Sequence, residues 1–354
     1  MVLQQPAYPV HIHASIAEVF GAWLQERSYD QVFILCDAHT EASCYPLIAD
    51  VLPDHVCITI PPGEENKNIY TCLAIWEELS NNLATRNSIL INLGGGVIGD
   101  MGGFSAATFK RGFDFVQMPT TLLSQVDASV GGKLGIDLQG FKNLIGIFCD
   151  PAAVFIGTDF LQTLPTRQLR SGFAEVLKHG LIRDAAYWKQ VSVIQLNTTY
   201  PWTDIIAHSV RIKSDVVQLD PKESGLRKVL NFGHTIGHAV ETWSLRHDAD
   251  PLLHGEAIAV GIICEAALSS AMLGLTNGEL EEITNACMGH FEHYPLDRID
   301  PEELLLITRQ DKKNRYGLIQ FSLLKSIGDC TFDIAVSDAS IREALTFYNG
   351  LSCR

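Results

Sequence analysis

Residues 88–146 decide the fold: SILINLGGGVIGDMGGFSAATFKRGFDFVQMPTTLLSQVDASVGGKLGIDLQGFKNLIG. The apolar run from Ile89 to Leu93 is rich in β-branched residues and predicts a buried strand. Three glycines follow, and a helical pattern then runs from Val97 to about Thr108. The pattern Gly94-x-Gly96-x-x-Gly99, placed between a strand and a helix, is typical of a dinucleotide site, because glycines let a pyrophosphate approach the backbone N–H groups. Tight-turn glycines without a ligand are the alternative.

Isolated basic residues occur along the rest of this segment. Lys110, Arg111, Lys133 and Lys142 stand among residues that are otherwise mostly apolar or glycine. We interpret this pattern as a phosphate-binding cleft. The alternative is that the lysines lie at loop ends and cover apolar surface with their stems.

The elements around this segment predict the fold class. Strands at Val32 to Cys36 and His55 to Ile60 alternate with helices at Ser15 to Gln25, where Ser15 is the expected N-cap, and at about 68–82. Residues 1–157 are therefore predicted to form a doubly wound, Rossmann-like α/β domain with a mostly parallel sheet that binds a dinucleotide. Helical periodicity dominates residues 158–354, which are predicted to form a second, mainly α-helical domain, with a cleft between the two.

Four further stretches carry a helical pattern. Residues 161–184 predict two helices, with Pro165 near the start of the first. Trp202 to Leu219, Asn231 to Trp243 and Gly255 to Leu273 predict one helix each. Further helices are expected near 277–290, 301–310 and 339–348, and a short strand at Ile319 to Leu324.

Composition narrows the function classes. The formal net charge of −15 argues against nucleic acid or an anionic membrane as a partner. Nine cysteines without a CxxC spacing indicate a reduced, cytoplasmic protein. The first residues lack the pattern of a signal peptide, and Glu265 interrupts the longest apolar run, Ala257 to Leu273.

Three histidines give the strongest metal signal. His234 and His238 are one helical turn apart, and His254 precedes the next helix. This spacing alone favours His234 and His238 as zinc ligands, although Thr235 stands where zinc hydrolases of the HExxH type carry glutamate. Packing or capping histidines are the alternative. Glu175 and Lys178, three residues apart, can share a helix face, for which a surface ion pair is the alternative.

Together these motifs resemble those of the 3-dehydroquinate synthase family. The matching blocks are GGGVIGD, KRG, PTTLLSQVDASVGGK, KNLIG, SGFAEVLKHG, LRKVLNFGHTIGHAVE, LHGEAIAVG and DKK, spread from about Asp37 to Gly328. The resemblance implies conversion of 3-deoxy-D-arabino-heptulosonate 7-phosphate to 3-dehydroquinate and phosphate. Transient oxidation by NAD, β-elimination of phosphate, reduction, ring opening and an intramolecular aldol step make up this reaction. It also implies that residues 1–157 bind NAD and that residues 158–354 bind a zinc or cobalt ion and the substrate, with the active site in the cleft between the two domains. A homodimer is implied as well.

The resemblance assigns roles residue by residue. The implied metal ligands are Glu175, His234 and His254, which leaves His238 to contact substrate and move protons. The residues implied to bind NAD are Asp37, Glu64, Lys67, Gly94, Gly95, Gly96, Asp100, Thr120, Thr121, Lys142, Phe160 and Thr163. The other residues implied to bind or transform the sugar phosphate are Arg111, Asp127, Lys133, Asn143, Lys178, Lys213, Glu223, Arg227, Asn231, Lys312 and Lys313.

Some of these assignments carry further detail. Glu223 matches a carboxylate implicated in proton handling, and Arg111 is implied to act across the dimer interface. One lysine of the pair Lys312 and Lys313 is expected to reach the substrate phosphate. The chain departs from the family at Leu134, at Ser171 and at Met101-Gly102, which puts substrate affinity rather than reaction class in question.

Three other functions compete with this one. A related cyclase would act on sedoheptulose 7-phosphate or glucose 6-phosphate, but Asn231 and His238 keep the dehydroquinate synthase form, and Lys213 suits a substrate carboxylate. A metal-dependent polyol dehydrogenase would release NADH. A catalytically inactive binding module would not need Glu175, His234 and His254 together with the full set of lysines.

Overall fold

A seven-stranded sheet organises the N-terminal part of the chain, in a computed structural model that describes residues 1–4, 7–139, 141–197, 200–311 and 319–353. The strands of the protein are β1 (Val2–Gln4), β2 (Pro9–His13), β3 (Val32–Asp37), β4 (His55–Ile60), β5 (Ile89–Gly94), β6 (Asp114–Pro119), β7 (Lys133–Leu138), β8 (Phe141–Phe148), β9 (Ala153–Gly157), β10 (Ile319–Ser326) and β11 (Asp329–Val336). The order in the large sheet is β1-β2-β9-β6-β5-β3-β4. Every pair is parallel except β1 with β2, which confirms the predicted doubly wound sheet.

Helices cover the sheet and make up most of the C-terminal part. They are α1 (Ala17–Gln25), α2 (Ala38–Ser43), α3 (Ile69–Asn81), α4 (Gly96–Thr108), α5 (Thr166–Arg183), α6 (Ala185–Val191), α7 (Trp202–Leu219), α8 (His234–His247), α9 (His254–Leu273), α10 (Asn277–His290), α11 (Pro301–Asp311) and α12 (Asp338–Asn349). α9 is long and apolar enough to span a membrane by length and composition, and 67% of that stretch is buried inside the protein.

Successive residues of a strand pack into two different hydrophobic cores, one on each face of the sheet. Phe33 and Leu35 of β3 pack with the core that contains α3 and α4, whereas Ile34 packs with α1 on the opposite face. A strand buried on both faces reads as a continuous apolar run, which is why β3 and β5 were predictable from sequence.

The connection order puts a topological switch at the pair β3 and β5. β3 and β5 are neighbours in the sheet. The strand that comes after β3 in the chain, β4, lies on one side of this pair, and the strand that comes after β5, β6, lies on the other side. Ligands of open α/β sheets bind at the carboxyl ends of strands at such a point. Asp37 ends β3 and Gly94 ends β5, so two predicted NAD residues occupy this position.

Chain contacts divide the protein into two compact units. Unit 1 comprises Met1–Leu169 and Thr198–Ser214, and unit 2 comprises Arg170–Asn197 and Asp215–Arg354. The predicted boundary between residues 157 and 158 separates a domain that binds NAD from a domain that binds metal and substrate. This assignment of binding roles stays a prediction.

Some local predictions were wrong. Residues 161–184 hold the end of a short 3-10 turn, Thr158–Thr163, and the single helix α5 rather than two helices. α1 begins after Ile16, so Ser15 is not its N-cap. The sequence also did not predict the antiparallel hairpins β7–β8 and β10–β11.

Candidate functional site

The glycine-rich junction in unit 1 has the predicted strand–turn–helix form. β5 ends at Gly94, Gly95 is the N-cap of α4, and Thr120 N donates 3.0 Å to Gly94 O. A Cβ atom at Gly95 would lie 3.2 Å from Thr121 Cγ2, so a side chain there would crowd the turn. Gly94 to Gly96, Gly99 and Asp100 help to line a small pocket at this junction. The pocket offers backbone and small side chains, which suits a pyrophosphate.

Asp37, one of the residues implied to bind NAD, is the N-cap of α2. Its Oδ1 accepts hydrogen bonds of 2.9 Å from His39 N and Thr40 N at the start of α2. No described residue donates to Oδ2. Capping therefore leaves one carboxylate oxygen of Asp37 for a ribose hydroxyl.

Lys67 joins several predicted residues into one network. Its buried ammonium Nζ lies 2.6 Å from both Asp100 Oδ2 and Asn143 Oδ1, and 4.0 Å from Glu64 Oε1. Burial alone would lower the pKa of Lys67, but the charges of Asp100 and Glu64 outweigh it and raise that pKa. Burial also raises the pKa of Asp100, against the charge of Lys67. Lys142 Nζ lies 3.6 Å from Glu64 Oε1.

The remaining unit 1 candidates lie in different settings. Lys213 Nζ contacts Asp127 Oδ1 at 2.9 Å and donates 2.6 Å to the Asp127 carbonyl. Arg111 is exposed just after α4, with φ 71°, and Lys133 is exposed at the start of β7. Phe160 is only 1% exposed and belongs to a core cluster. Thr163 donates 3.4 Å to Phe160 O.

Glu175 is the centre of a polar cluster in unit 2. Its side chain is fully buried on α5 and forms an ion pair with Lys178, one turn further along the same helix. The predicted shared face is therefore real, but both side chains are buried, so a surface ion pair is excluded. Burial alone would raise the pKa of Glu175, yet Lys178 and His234 hold it well below its ordinary value.

The histidines of α8 and α9 converge on the same carboxylate. Glu175 Oε1 lies 3.3 Å from His234 Nε2 and 3.6 Å from His254 Nε2. His238 is also near, because ligand atoms of His234, His238 and His254 all lie within 4.8 Å of one another. One helix turn separates His234 from His238, and both lie near His254.

The surroundings of His234 and His254, the two histidines that face Glu175, shift their pKa values in opposite directions. Burial lowers the pKa of His234 to about 4, despite the nearby Glu175 carboxylate. Burial would also lower the pKa of His254, but Glu241 and Glu175 raise it to about 10.

One carboxylate and two or three imidazoles form a donor set that suits Zn²⁺ or Co²⁺. The described residues therefore fit the expected metal.

A loop before α8 holds three more predicted residues. Asn231 Nδ2 donates 2.7 Å to Glu223 Oε1, and Arg227 Nη1 donates 2.6 Å to Pro221 O. Asp220 organises this loop, because its carboxylate accepts from the amides of Ser224, Gly225 and Arg227. Lys312 and Lys313 lie outside the described residues.

Four residues to which sequence reasoning assigned no structural role position the histidine cluster or the loop before α8. Ser171 Oγ accepts 2.9 Å from Gly255 N, beside His254. Glu265 accepts from Gly233 N and Ile236 N at the start of α8. Glu241 and Asp220 are the other two. Only the carboxylates inside apolar helix patterns, Glu265 above all, were visible as anomalies in the sequence.

Comparisons with known proteins identify the same family that the sequence motifs resemble. The family models described as 3-dehydroquinate synthase N-terminal and C-terminal match residues 57–171 and 172–314. A 3-dehydroquinate synthase of Parabacteroides distasonis is 42% identical, over 92% of this chain and 93% of that protein.

Solved structures share the fold. The chain is similar to 2-deoxy-scyllo-inosose synthase complexed with carbaglucose-6-phosphate, NAD+ and Co2+, with TM-score 0.82, 23% identity and coverage of 98% and 99% of the two chains. It is also similar to 2-epi-5-epi-valiolone synthase from Streptomyces hygroscopicus with NAD+ and Zn2+ bound, with TM-score 0.83, 24% identity and 99% coverage of both chains.

Proposed function

The chain belongs to the 3-dehydroquinate synthase family, and we propose that it converts 3-deoxy-D-arabino-heptulosonate 7-phosphate to 3-dehydroquinate and phosphate through the residues described above. The observation that carries the proposal is the convergence of His234 and His254, from two helices, on one oxygen of the buried Glu175. A fully buried carboxylate is costly unless charged partners stabilise it, so this arrangement is a built site.

We propose Glu175, His234 and His254 as the ligands of a zinc or cobalt ion. When bound, the ion would supply Lewis acidity to the substrate hydroxyl that is oxidised. His238 lies beside these ligands, with its ligand atom within 4.8 Å of those of His234 and His254, which supports a role in moving protons of the substrate. Lys178 neutralises the buried Glu175 carboxylate and orients it.

We propose that NAD binds in unit 1, along the glycine junction between β5 and α4. When bound, it would accept and later return a hydride, so no net oxidation results. The turn at Gly94 to Gly96 would hold the pyrophosphate, and Asp37 Oδ2 would accept a ribose hydroxyl. Lys67 keeps Asp100 and Asn143 fixed at the edge of this junction. Solved relatives of this fold bind NAD+ as well.

Several cations are proposed to bind the carboxylate and phosphate of the substrate. Arg227 is 2% exposed and anchored to a backbone carbonyl, so its guanidinium is held in one place, as phosphate recognition requires. Lys213 is anchored on Asp127 in the same manner. Asn231 fixes Glu223, the proposed proton carrier. Lys133, Lys178, Arg111 and one of Lys312 and Lys313 complete the proposed set.

We further propose a cytoplasmic homodimer without a nucleic-acid or membrane partner. The net charge of −15 and the nine cysteines support this environment. The exposure of Arg111 is compatible with a contribution to a partner's site, as the family resemblance implies.

The experiment compares phosphate release from 3-deoxy-D-arabino-heptulosonate 7-phosphate and from sedoheptulose 7-phosphate, with catalytic NAD and Zn²⁺. We expect release from the former alone, loss of release with a chelator, and no accumulation of NADH. Release from sedoheptulose 7-phosphate alone would identify a different cyclase. Steady NADH production with a polyol would identify a dehydrogenase.

A further inference from the structure

A buried glutamate lies behind one of the proposed metal ligands. Glu241 of α8 is 3% exposed, and its Oε2 lies 3.2 Å from Nδ1 of His254, the first residue of α9. A carboxylate accepts hydrogen bonds, so this contact requires the hydrogen on Nδ1. In the neutral imidazole the lone pair is then on Nε2, the nitrogen that faces Glu175 at 3.6 Å.

His234 is held in a different way. Its Nδ1 lies 3.1 Å from the carbonyl oxygen of Phe232, two residues earlier in the chain. The backbone therefore orients His234 locally. His254 has a side chain from another helix at the equivalent nitrogen, so its orientation depends on a residue that can be substituted without altering the backbone.

We propose that Glu241 is a positioning residue that fixes the tautomer and ring orientation of His254 and strengthens its Nε2 as a metal ligand. A carboxylate behind an imidazole ligand raises the basicity of that ligand. The inference rests on the proposed function, because it assumes that His254 binds the metal.

A purely architectural role for Glu241 is a weaker explanation. Glu265 of α9 already ties the two helices together, since its two oxygens accept from Gly233 N at 2.7 Å and Ile236 N at 3.0 Å at the start of α8. Glu241 instead contacts the ring of His254 itself. Its effect should therefore appear in metal binding beyond any effect on folding.

The test measures Zn²⁺ affinity of the metal-free full-length protein, by competition with a chelating dye. We expect Glu241→Ala to weaken Zn²⁺ binding by about 10–100-fold. Glu241→Gln keeps the shape and one acceptor oxygen but loses the charge, so we expect a smaller loss. The Co²⁺ absorption spectrum of Glu241→Ala should also change, because the ring of His254 is no longer fixed.

The matched control is Glu303→Gln. Glu303 also accepts a hydrogen bond from an α8 side chain, Trp243 Nε1 at 3.1 Å, and the residue lies outside the histidine cluster. Its substitution should leave Zn²⁺ affinity unchanged. Urea unfolding of the metal-free variants separates a loss of stability from a loss of affinity.

The outcomes separate the two proposals. A folded Glu241→Ala that binds Zn²⁺ within twofold of wild type overturns the role of Glu241 and leaves the metal site intact. If Glu241→Ala does not fold, Glu241→Leu, which keeps the volume but has no acceptor oxygen, takes its place, and wild-type affinity and spectrum in that variant overturn the role equally. A wild-type chain that binds no Zn²⁺ overturns the proposed metal site, and this inference with it.

Discussion

Asn231 donates a hydrogen bond of 2.7 Å from its Nδ2 to Oε1 of Glu223. Glu223 itself has a left-handed backbone, with φ 57°. Such a conformation is unfavourable for a residue with a side chain, so the surrounding structure must hold it. Asn231 is one of the groups that does so, which links two residues that the sequence assigned separately to substrate binding and proton handling.

This link predicts non-additive kinetics. Asn231→Ala and Glu223→Gln should each lower kcat by about 10²-fold, the scale expected for losing a positioned acid or base. If Asn231 acts by orienting Glu223, the double variant should lose no more than the worse single variant. Steady-state phosphate release from the three variants measures this. Independent, multiplying losses would show that the two residues act separately.

The histidine cluster makes a second prediction. His254→Ala should lose bound metal and nearly all turnover, because its Nε2 is one of the two imidazole nitrogens that face Glu175. His238→Ala should keep the metal and lose rate. Metal content by atomic spectroscopy, together with phosphate release, distinguishes the two. His247→Ala, on the same helix and partly exposed, is the control and should retain both.

An emptied site in His238→Ala would contradict the assignment. It would instead favour the ligand pair that the i, i+4 spacing of His234 and His238 suggested. The geometry alone permits both pairings, since all three rings lie together.

Local periodicity predicted most elements of the fold. α7 has the predicted bounds, and α9 begins one residue before its predicted start. Errors arose at the ends and interruptions of elements. Phe173 and Leu177 of α5 are fully buried, and Ile16, which directly precedes α1, is 1% exposed. Such tertiary contacts are not visible in local periodicity.

The family departures have packing explanations that the sequence could not supply. Leu134 is 6% exposed, and it lies against Gly103 of α4. Ser171 holds the Gly255 amide beside His254. A Cβ atom at Gly102 would lie 1.9 Å from Asn92 Oδ1, so α4 needs glycine there to pack on β5. Glu241 was likewise unassigned from sequence, because its partner His254 is 13 residues away on another helix.

The Lys67 network predicts a stability difference between two lysines. Lys67→Met should cost about 3–5 kcal/mol of unfolding free energy, because it leaves Asp100 without its buried cation. Lys142→Met should cost at most about 1 kcal/mol, since its ion pair with Glu64 is one-third exposed on both sides. Urea unfolding measures both. Equal losses would mean that the Lys67 contact contributes no more than a surface pair.

The loop carboxylate Asp220 predicts a pH dependence. Burial opposes ionisation, but the amides of Gly225, Ser224 and Arg227 hold the pKa of Asp220 at about 2, below its ordinary 3.8. A depressed pKa stabilises the fold above the ordinary value, and this contribution of about 2 kcal/mol is lost as pH falls from about 4 to 2.

Asp220→Asn should therefore be less stable than wild type at pH 7 by about 1–3 kcal/mol. The gap between the two proteins should narrow below pH 4. Urea midpoints at pH 7 and pH 3 give both values. A gap of constant size across this range would show that the charge of Asp220 does not stabilise the loop.

Gly255 makes the sharpest steric prediction. A Cβ atom there would lie 1.8 Å from the backbone oxygen of Ser171, so Gly255→Ala must push α9 away from α5 and move the adjacent His254. We expect a loss of at least about 3 kcal/mol of unfolding free energy and weaker Zn²⁺ binding. Gly289→Ala is the matched control, because no described residue has an atom within 4 Å of its Cβ position in α10. It should leave Zn²⁺ affinity unchanged and raise stability by up to about 1 kcal/mol. Equal behaviour of the two alanine variants in urea unfolding and metal titration would refute the close packing of α9 on α5.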